Sequence, residues 1–282
     1  MNLEAAASYA QRHALDALLV QCDGNTVLER YGEGFDAHKP HALYSGAKSF
    51  WGVLAGAAQD DGLLTLDERV GQTFEEWNAG LKAEVTLRQL LSLTSGIGFG
   101  GLGAAVPSYE KALASELKNE PGTRFTYGGI PLQVFGAVLA HKLEARGKGT
   151  PQDYLRERIL DPIGLRIASW RTLPSGTQPL PTGAFVAAAE WAVYGRFVLA
   201  TGVWRGQQLI SAARLAGCFA GSPANPRYGL GWWLAPDIAP GLAYASGAGG
   251  QAMYLVPSER TVIVKFGRSN SYRHEAFLKR LL

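Results

Sequence analysis

The sequence has few cysteines, little net charge and no long apolar run, and each scarcity excludes a class of protein. Only Cys22 and Cys218 are present, far apart in the chain. We expect two free thiols rather than a disulfide framework, although the two could pair in principle. With five scattered histidines they form no metal-binding pattern. We therefore predict neither a metal nor a cofactor.

The charge and hydropathy patterns argue against two further classes. The formal net charge of +3 is small, and no cluster of Lys and Arg or ladder of aromatic residues favours nucleic acid as a partner. No apolar run reaches the ~18 residues of a membrane span. The N-terminus, Met1–Glu4, has no basic segment followed by an apolar one. We expect a cytoplasmic protein, or a periplasmic one whose leader has been removed.

What is present fits an ordinary globular protein with a full core, since the 282 residues are 47% hydrophobic and 18% charged. A helix is predicted over residues 3–15, followed by a β-hairpin whose strands, 17–22 and 26–31, flank the turn Asp23–Asn25. Further helices are predicted at residues 45–60, 86–93, 109–118, 130–145, 151–159, 185–201 and 211–219. Strands return at residues 228–234, 243–256 and 261–267, before a last helix over 272–282.

Strands therefore occur at both ends of the chain, with helices between them. The simplest architecture is of the α+β class: one antiparallel β-sheet formed by the N- and C-terminal segments, flanked by the terminal helices, with a mostly helical region inserted. We expect residues 1–44 and 180–282 to form the sheet region and residues 45–179 the helical region. The two lobes would form one compact unit with the active site between them.

One segment has a chemical signature: LYSGAK at residues 43–48, which precedes the apolar run SFWGVLAGAA. A helix places residues i and i+3 on one face, so Lys48 lies one turn after Ser45. A serine hydroxyl is a weak nucleophile until a base takes its proton, and apolar surroundings disfavour the ammonium form of lysine. The pattern fits either a nucleophile with its base, or a helix-capping serine with a solvated lysine.

The same Ser-x-x-Lys spacing recurs at Ser115 and Lys118. This copy lies in residues 109–118, an amphipathic segment whose lysines and glutamates face water, and Pro121 and Gly122 follow it. We predict that this second copy has no catalytic part.

Two other segments could meet Ser45 in a cleft. Tyr127 lies on a tight loop, TRFTYGG, where a phenol beside a lysine ammonium can lose its proton below its ordinary pKa and act as a base. Its ring could equally pack on the surface. Residues 243–251, AYASGAGGQ, indicate an edge strand whose glycines let a ligand or another backbone come close, with N–H groups free for an oxyanion. A bulged strand without a ligand is the alternative.

In this order, the segments resemble the serine β-lactamase and penicillin-binding-protein superfamily, whose signatures include Ser-x-x-Lys. The nearest branch is the class C-like one, with esterases and 6-aminohexanoate-dimer hydrolases. The similarity covers most of the chain, and the superfamily's fold agrees with the layout above. The further matching segments are DGLLTLD at 61–67, LRQLLSLTSG at 87–96, FTYGG at 125–129, DPIGL at 161–165, YGLGWW at 228–233 and ASG at 245–247.

The resemblance implies a role for each matching residue. Ser45 would be the nucleophile, Lys48 its proton acceptor, and Tyr127 the general base and acid. The backbone N–H groups of Ser45 and Ala248 would form the oxyanion hole. The residues expected to bind substrate are Ser246, Gly247, Gly129, Trp232 and Trp233, with the loop 98–108 beside them.

Two positions depart from the superfamily's pattern. Gly129 replaces an asparagine that would contact a substrate amide, and Ala245 replaces the lysine or histidine that helps to bind the carboxylate of β-lactams and D-alanyl peptides. An anionic substrate thereby loses a contact worth roughly 1.5–3 kcal/mol, unless Arg124 or Arg268 substitutes.

We therefore expect a serine hydrolase that works through an acyl-enzyme, an esterase or amide hydrolase on small neutral substrates. Two alternatives stay open. One is a D,D-carboxypeptidase or β-lactamase, and the other is a catalytically degenerate homologue that binds a ligand or partner without turnover.

Overall fold

An antiparallel sheet of six strands organises the computed structural model, which describes residues 1–100 and 105–282. The strands are β1 (Leu15–Cys22), β2 (Asn25–Tyr31), β3 (His41–Ala42), β4 (Ser169–Trp170), β5 (Ala184–Val186), β6 (Val203–Trp204), β7 (Gln207–Gln208), β8 (Trp233–Leu234), β9 (Ala243–Gly247), β10 (Gln251–Val256) and β11 (Thr261–Gly267). The order in the main sheet is β2-β1-β11-β10-β9-β8. The two ends of the chain thus meet where β1 pairs with β11, and the predicted α+β class is confirmed.

Helices cover the sheet and fill the inserted region. They are α1 (Leu3–Gln11), α2 (Ser49–Asp60), α3 (Leu87–Leu91), α4 (Tyr109–Leu113), α5 (Ile130–Glu144), α6 (Pro151–Leu155), α7 (Asp161–Ile163), α8 (Ala188–Leu199), α9 (Ala212–Ala216) and α10 (His274–Leu281). A 3₁₀ helix, Tyr44–Lys48, runs directly into α2. No helix in the described ranges is both long and apolar enough to cross a bilayer.

The terminal helices α1 and α10 cover one face of the sheet. The backbone N–H of Asn2 donates to the carbonyl oxygen of Leu281 at 2.6 Å, which ties the first helix to the last. Leu18 and Val20 of β1 pack in the same apolar cluster as Phe277 of α10. Alternate strand residues point to opposite faces, so Ala17 and Leu19 of β1 belong to a second core.

That second core lies between the sheet and the helices α8 and α2. Ala17 and Leu19 of β1 belong to it, together with Trp191 of α8. Every residue of α2 from Ser49 to Ala58 is buried. The apolar run after Lys48 is therefore the centre of the larger core, which explains why its sequence has no polar face.

The segment predicted as one strand over residues 243–256 is two strands. β9 and β10 run antiparallel with Gly247 opposite Gln251, and the turn between them contains Gly249 and Gly250 at φ values of 77° and 79°. Glycine adopts positive φ without steric cost, whereas other residues rarely do. The prediction of a continuous strand is wrong because these glycines form a tight turn.

Other elements differ from the predictions mainly in extent. The helix predicted over residues 3–15 ends at Gln11, because β1 already begins at Leu15. The helix predicted over 109–118 ends at Leu113. The strand predicted over 228–234 contains only β8, and the helix predicted over 185–201 begins after β5.

A three-stranded sheet, β3-β5-β4, was not predicted. Its strand β4 lies inside the region predicted as helical, residues 45–179, and pairs with β5 from the region predicted to form the sheet. The division into a helical region and a sheet region at residues 44 and 180 stays a prediction.

Candidate active site

Ser45 and Lys48 lie together at the start of the central helix. The Lys48 amine donates a hydrogen bond to the Ser45 hydroxyl, with Nζ and Oγ 2.9 Å apart. It donates a second, longer one to the carbonyl oxygen of Pro181 at 3.3 Å. Ser45 is half-buried, whereas Lys48 is 1% exposed. The structure thus brings together the two side chains that the sequence analysis pairs as a candidate nucleophile and its base.

The surroundings of Lys48 change its acid–base chemistry. Burial lowers the pKa of the Lys48 amine to about 7, because apolar surroundings penalise the ammonium form. No carboxylate forms an ion pair with it in the part of the chain that the structure describes. Near neutral pH a large fraction of the amine is therefore neutral, with a lone pair able to accept the proton of Ser45.

Tyr127 forms one wall above this pair. The Lys48 Nζ atom lies 4.9 Å from the centroid of the Tyr127 ring, and the ring stacks on Trp233 with centroids 5.6 Å apart. Burial raises the pKa of Tyr127, and the nearby Ser45 hydroxyl opposes that rise in part. The expectation of a lowered pKa is wrong, because burial penalises the charged phenolate. In the free protein the phenol holds its proton.

A cavity of about 470 Å³ opens above Ser45. Its lining residues are Tyr44, Ser45, Tyr127, Thr182, Trp233, Tyr244, Ser246, Gly247, Ala248 and His274. None of these described lining residues is Asp, Glu, Lys or Arg, so the wall is aromatic and neutral. Of the loop 98–108 that we expected beside it, residues 101–104 lie outside the described residues.

The oxyanion hole expected from the sequence consists of the backbone N–H groups of Ser45 and Ala248. Ser45 is the second residue of its 3₁₀ helix, a position whose N–H has no intrahelical acceptor. Ala248 directly follows β9, and both residues line the cavity. The preceding Tyr44 has a φ of 48°, a strained conformation of the kind found at functional sites.

Gly247 explains how β9 comes so close to the nucleophile. A Cβ atom built on Gly247 would lie 2.1 Å from the carbonyl oxygen of Leu43, two residues before Ser45. That distance is far shorter than any van der Waals contact, so only glycine fits. The sequence analysis considered that either a ligand or another backbone comes close to these glycines. At Gly247 the structure shows another backbone, that of Leu43.

Ser246, also on β9, is hydrogen-bonded to His274 at the start of α10. Its Oγ atom lies 2.8 Å from His274 Nε2, and His274 Nδ1 lies 2.7 Å from the hydroxyl of Tyr254. Burial, assisted by the charge of Lys265, lowers the pKa of His274 to about 4. The imidazole is therefore neutral at physiological pH.

The sequence analysis missed His274, together with Tyr44, Thr182 and Tyr244. His274 is 28 residues from Ser246, and no local pattern joins the two. Tyr244 had a signal that was not used, since it lies two positions before Ser246 on the same strand and so shares its face.

Two residues predicted to bind substrate do not line the cavity. Trp232 is fully buried and packs on Phe219 and Tyr194, with ring centroids 5.4 and 6.3 Å away. Its neighbour Trp233 lines the cavity instead, because consecutive residues in extended backbone point to opposite sides. Gly129 is buried at the start of α5, and its N–H donates to the carbonyl oxygen of Gly100 at 3.1 Å. For Trp232 and Gly129 the expected contact is corrected.

The arginines considered as replacements for a missing cation lie elsewhere. Arg268 Nε donates to the buried carboxylate of Asp16 at 2.9 Å, and neither Arg268 nor Arg124 lines the cavity. Ala245 is 1% exposed. Among the described residues of the wall, nothing replaces the cation that the resemblance leads one to look for.

Other residues singled out in the sequence fall outside the site. The Ser115 hydroxyl donates to the carbonyl oxygen of Lys111 at 3.4 Å, and Lys118 is exposed. Cys22 and Cys218 are free. Within residues 1–100 and 105–282, no group of three or more His, Cys, Asp or Glu side chains is placed to hold a metal ion.

The fold is that of a β-lactamase-type protein. The Beta-lactamase family model matches residues 3–280, and the chain belongs to that family. The superfamily resemblance drawn from the motifs is thereby confirmed. A comparison with curated protein sequences gives no match.

Solved structures of similar fold cover several activities. One is a provisionally assigned 6-aminohexanoate-dimer hydrolase from Bacillus anthracis, with a TM-score of 0.79 and 20% identity over 96% of this chain and 78% of that one. A class C β-lactamase from Rhodobacter sphaeroides matches at a TM-score of 0.73 and 17% identity, over 99% and 97%. A family VIII carboxylesterase matches at 0.75 and 17%, over 99% and 95%. At these identities the likeness establishes the fold.

Proposed function

We propose that the protein is a serine hydrolase that forms an acyl-enzyme on Ser45 and acts on small neutral esters or amides. The observation that supports it most is the contact of 2.9 Å between Ser45 Oγ and Lys48 Nζ, made by a lysine that is 1% exposed. Burial lowers the pKa of that amine to about 7, which suits a general base working at neutral pH.

In the proposed acylation, neutral Lys48 takes the proton of the Ser45 hydroxyl as Oγ attacks the carbonyl carbon. The carbonyl oxygen becomes an oxyanion, which the N–H groups of Ser45 and Ala248 stabilise. When the tetrahedral intermediate collapses, Tyr127 gives its phenolic proton to the leaving alcohol or amine. Lys48 then returns its proton to the Tyr127 phenolate, so both residues end in their starting forms while the Ser45 oxygen carries the acyl group.

Deacylation repeats these steps with water as the nucleophile. Water loses one proton to the base, attacks the acyl carbon and releases the acid, while the Ser45 oxygen regains a proton. The phenol that keeps its proton in the free protein suits the acid role of Tyr127, since burial raises its pKa. We accordingly assign proton abstraction to Lys48 and proton donation to Tyr127.

The proposed preference for neutral substrates follows from the wall of the cavity. The described lining residues contain four tyrosine and tryptophan side chains around Ser45, namely Tyr44, Tyr127, Trp233 and Tyr244, and no charged one. Aromatic surface favours an apolar acyl or alcohol group. A carboxylate would be desolvated there without a partner, at a cost that neutral groups avoid.

Covalent labelling tests the acyl-enzyme. A fluorophosphonate probe is expected to add one label to the native protein, and peptide mass spectrometry is expected to place it on Ser45. Ser45→Ala should abolish the label, whereas Ser115→Ala, the matched control from the second Ser-x-x-Lys, should retain it. A native protein that takes no label would favour the non-catalytic alternative.

A substrate screen tests the substrate class. p-Nitrophenyl esters of short and long acids, a linear amide and nitrocefin are compared on the native protein and on Ser45→Ala. We expect ester hydrolysis to dominate and to vanish in the variant. Nitrocefin turnover that exceeds ester turnover would instead favour a β-lactamase.

A further inference from the structure

The cavity wall contains a chain of four hydrogen-bonded side chains that the catalytic proposal does not use. It runs from Ser246 Oγ to His274 Nε2 at 2.8 Å, from His274 Nδ1 to the Tyr254 hydroxyl at 2.7 Å, and from there to the Tyr272 hydroxyl at 3.0 Å. Its inner half is buried, since Tyr254 is 0% and Tyr272 5% exposed. Its outer end, Ser246, faces the cavity.

We propose that Tyr272, Tyr254 and His274 are positioning residues that hold the Ser246 hydroxyl as a hydrogen-bond donor to a neutral acceptor oxygen of the substrate. This inference rests on the proposed hydrolase function. It adds a hydrogen bond between Ser246 and the substrate to that function, and it assigns Ser246 as the donor.

Which group donates in each of these hydrogen bonds follows from the number of hydrogens available at the buried end of the series. Among the described residues, the only hydrogen-bond partner of the Tyr272 hydroxyl is Tyr254. A buried O–H that donates to nothing is costly, so Tyr272 gives its hydrogen to the Tyr254 oxygen. The single hydrogen of Tyr254 is then free for His274 Nδ1.

The tautomer of His274 determines which atom donates at the cavity. A neutral imidazole has one N–H and one acceptor nitrogen, and His274 is neutral because burial lowers its pKa to about 4. With Nδ1 accepting from Tyr254, the proton is on Nε2 and is donated to Ser246 Oγ. The Ser246 hydrogen has no other acceptor in the described part of the chain, so it is available to a ligand.

The same direction excludes a different role for the pair. A histidine that activates a serine must accept the serine's proton, which needs an unprotonated Nε2. In this chain Nε2 is the donor, so Ser246 is not a second nucleophile. The arrangement also suits an uncharged acceptor, because all four members of the chain are neutral and no charged side chain lines the described wall.

The histidine tautomer can be measured without any turnover. In protein labelled with ¹⁵N-histidine, the His274 signals are assigned by comparison with His274→Gln. At pH 7 we expect a neutral ring with its proton on Nε2. A proton on Nδ1, or an imidazolium, would overturn the proposal.

Kinetics then test the contact with substrate. Loss of one neutral hydrogen bond corresponds to about three- to tenfold, so Ser246→Ala should lower kcat/KM for a neutral ester by that factor, mainly through KM. Tyr254→Phe should lower it by a similar or smaller factor in the wild-type background and have no further effect in the Ser246→Ala background. Equal effects in both backgrounds would mean that Tyr254 acts only through stability, and would overturn the proposal.

Tyr9→Phe is the matched control. The Tyr9 hydroxyl donates to the carbonyl oxygen of Arg273, one residue before α10, at 3.4 Å, and its ring lies 5.5 Å from that of Tyr272. Tyr9 is not part of the hydrogen-bonded series from Ser246 to Tyr272. Tyr9→Phe should therefore keep kcat/KM within about twofold and leave the His274 tautomer unchanged. A wild-type protein without hydrolase activity would contradict both the hydrolase function and the substrate contact. An active wild-type protein in which the effects of Tyr254→Phe and Ser246→Ala simply add would contradict only the contact.

Discussion

The spacing Ser-x-x-Lys occurs twice in this chain, and its two copies have opposite surroundings. At residues 45–48 it is a 3₁₀ turn at the entrance of a buried helix, where the amine of Lys48 donates to the hydroxyl of Ser45. At Ser115 and Lys118 it follows the end of α4 on the surface, where the hydroxyl donates to a backbone carbonyl and the lysine faces water.

The comparison shows that the Ser-x-x-Lys spacing does not by itself determine the chemistry of the lysine. Both copies have the same functional groups at the same separation in sequence. Only the first has apolar walls, and it is burial that lowers the pKa of Lys48 to about 7. Water solvates the ammonium of an exposed lysine and leaves it a poor base. Packing that buries the amine thus allows a lysine to act as the base for a serine, and the predictions below test that claim.

The largest difference is expected between the two lysines. Lys48→Ala should lower kcat/KM for a p-nitrophenyl ester by roughly 10³–10⁵-fold, because nucleophile and base act as one unit. Lys118→Ala should leave it within about twofold, as for surface substitutions away from a site. Steady-state kinetics on both variants decide the matter, and retained turnover in Lys48→Ala would show that the base is another group.

The next largest effect is expected from the phenol that only the first copy has beside it. Tyr127→Phe should reduce kcat by about 10²–10⁴-fold, the usual contribution of a general acid. Its control is Tyr228→Phe, whose ring centroid lies 6.1 Å from that of Tyr127 and whose hydroxyl has no hydrogen-bond partner among the described residues.

Tyr228→Phe should keep kcat within about threefold, because it removes a hydroxyl and preserves the packing. The assay is kcat at saturating ester for both variants beside the wild type. Equal losses in the two would point to the aromatic packing rather than to proton transfer by Tyr127.

The pH profile should report the lowered pKa of Lys48. The neutral amine is the active form, so kcat/KM is expected to fall about tenfold for each pH unit below the pKa, which lies at about 7. Above that pH the profile should level off. A limb with its midpoint near 4, where His274 titrates, would contradict the assignment of the base to Lys48.

Replacement of Lys48 should raise stability although it lowers activity. The pKa of Lys48 is about 7 in the folded protein against an ordinary value of 10.5 for lysine. Between these pH values the unfolded chain binds a proton that the folded one lacks, so stability rises with pH across that window. Lys48→Met removes this penalty, and we expect a gain of about 1–3 kcal/mol in the free energy of unfolding at pH 7.

That gain should shrink towards pH 10.5, the ordinary pKa of lysine, because the penalty vanishes once the folded and unfolded states are both deprotonated. Lys118→Met is the control and should change stability by less than about 0.5 kcal/mol at either pH. Urea unfolding of both variants at pH 7 and near pH 10 provides the measurement. A Lys48→Met protein less stable than the wild type at pH 7 would mean that the hydrogen bonds of Lys48 outweigh the cost of its burial.

Much of the fold was predictable because strand and helix periodicities are local. The hairpin of β1 and β2, the strand β11 and the last helix appear where the patterns indicate, and the joining of both chain ends in one sheet follows from them. The turn between β9 and β10 was missed for a physical reason. Gly249 and Gly250 signal either a weak strand or a turn, and only their positive φ values distinguish the two.

The site was predictable where a residue's role depends on its neighbours along the chain. Ser45 and Lys48 are such a pair. Trp232 and Trp233 are not, because alternation shows that they face opposite sides without telling which side is the core. The expected lowering of the Tyr127 pKa failed because the local sequence does not show how deeply the phenol is buried, and burial raises its pKa.

Taken alone, the order of amino acids determined the fold class, the superfamily and the segment that holds the proposed nucleophile, since these are encoded in spacings of a few residues. The tertiary structure decided the protonation of Lys48 and Tyr127, the tryptophan that lines the cavity and the pairing of Ser246 with His274. Those properties depend on how much water packing removes from a group, and the atoms that exclude the water come from distant parts of the chain.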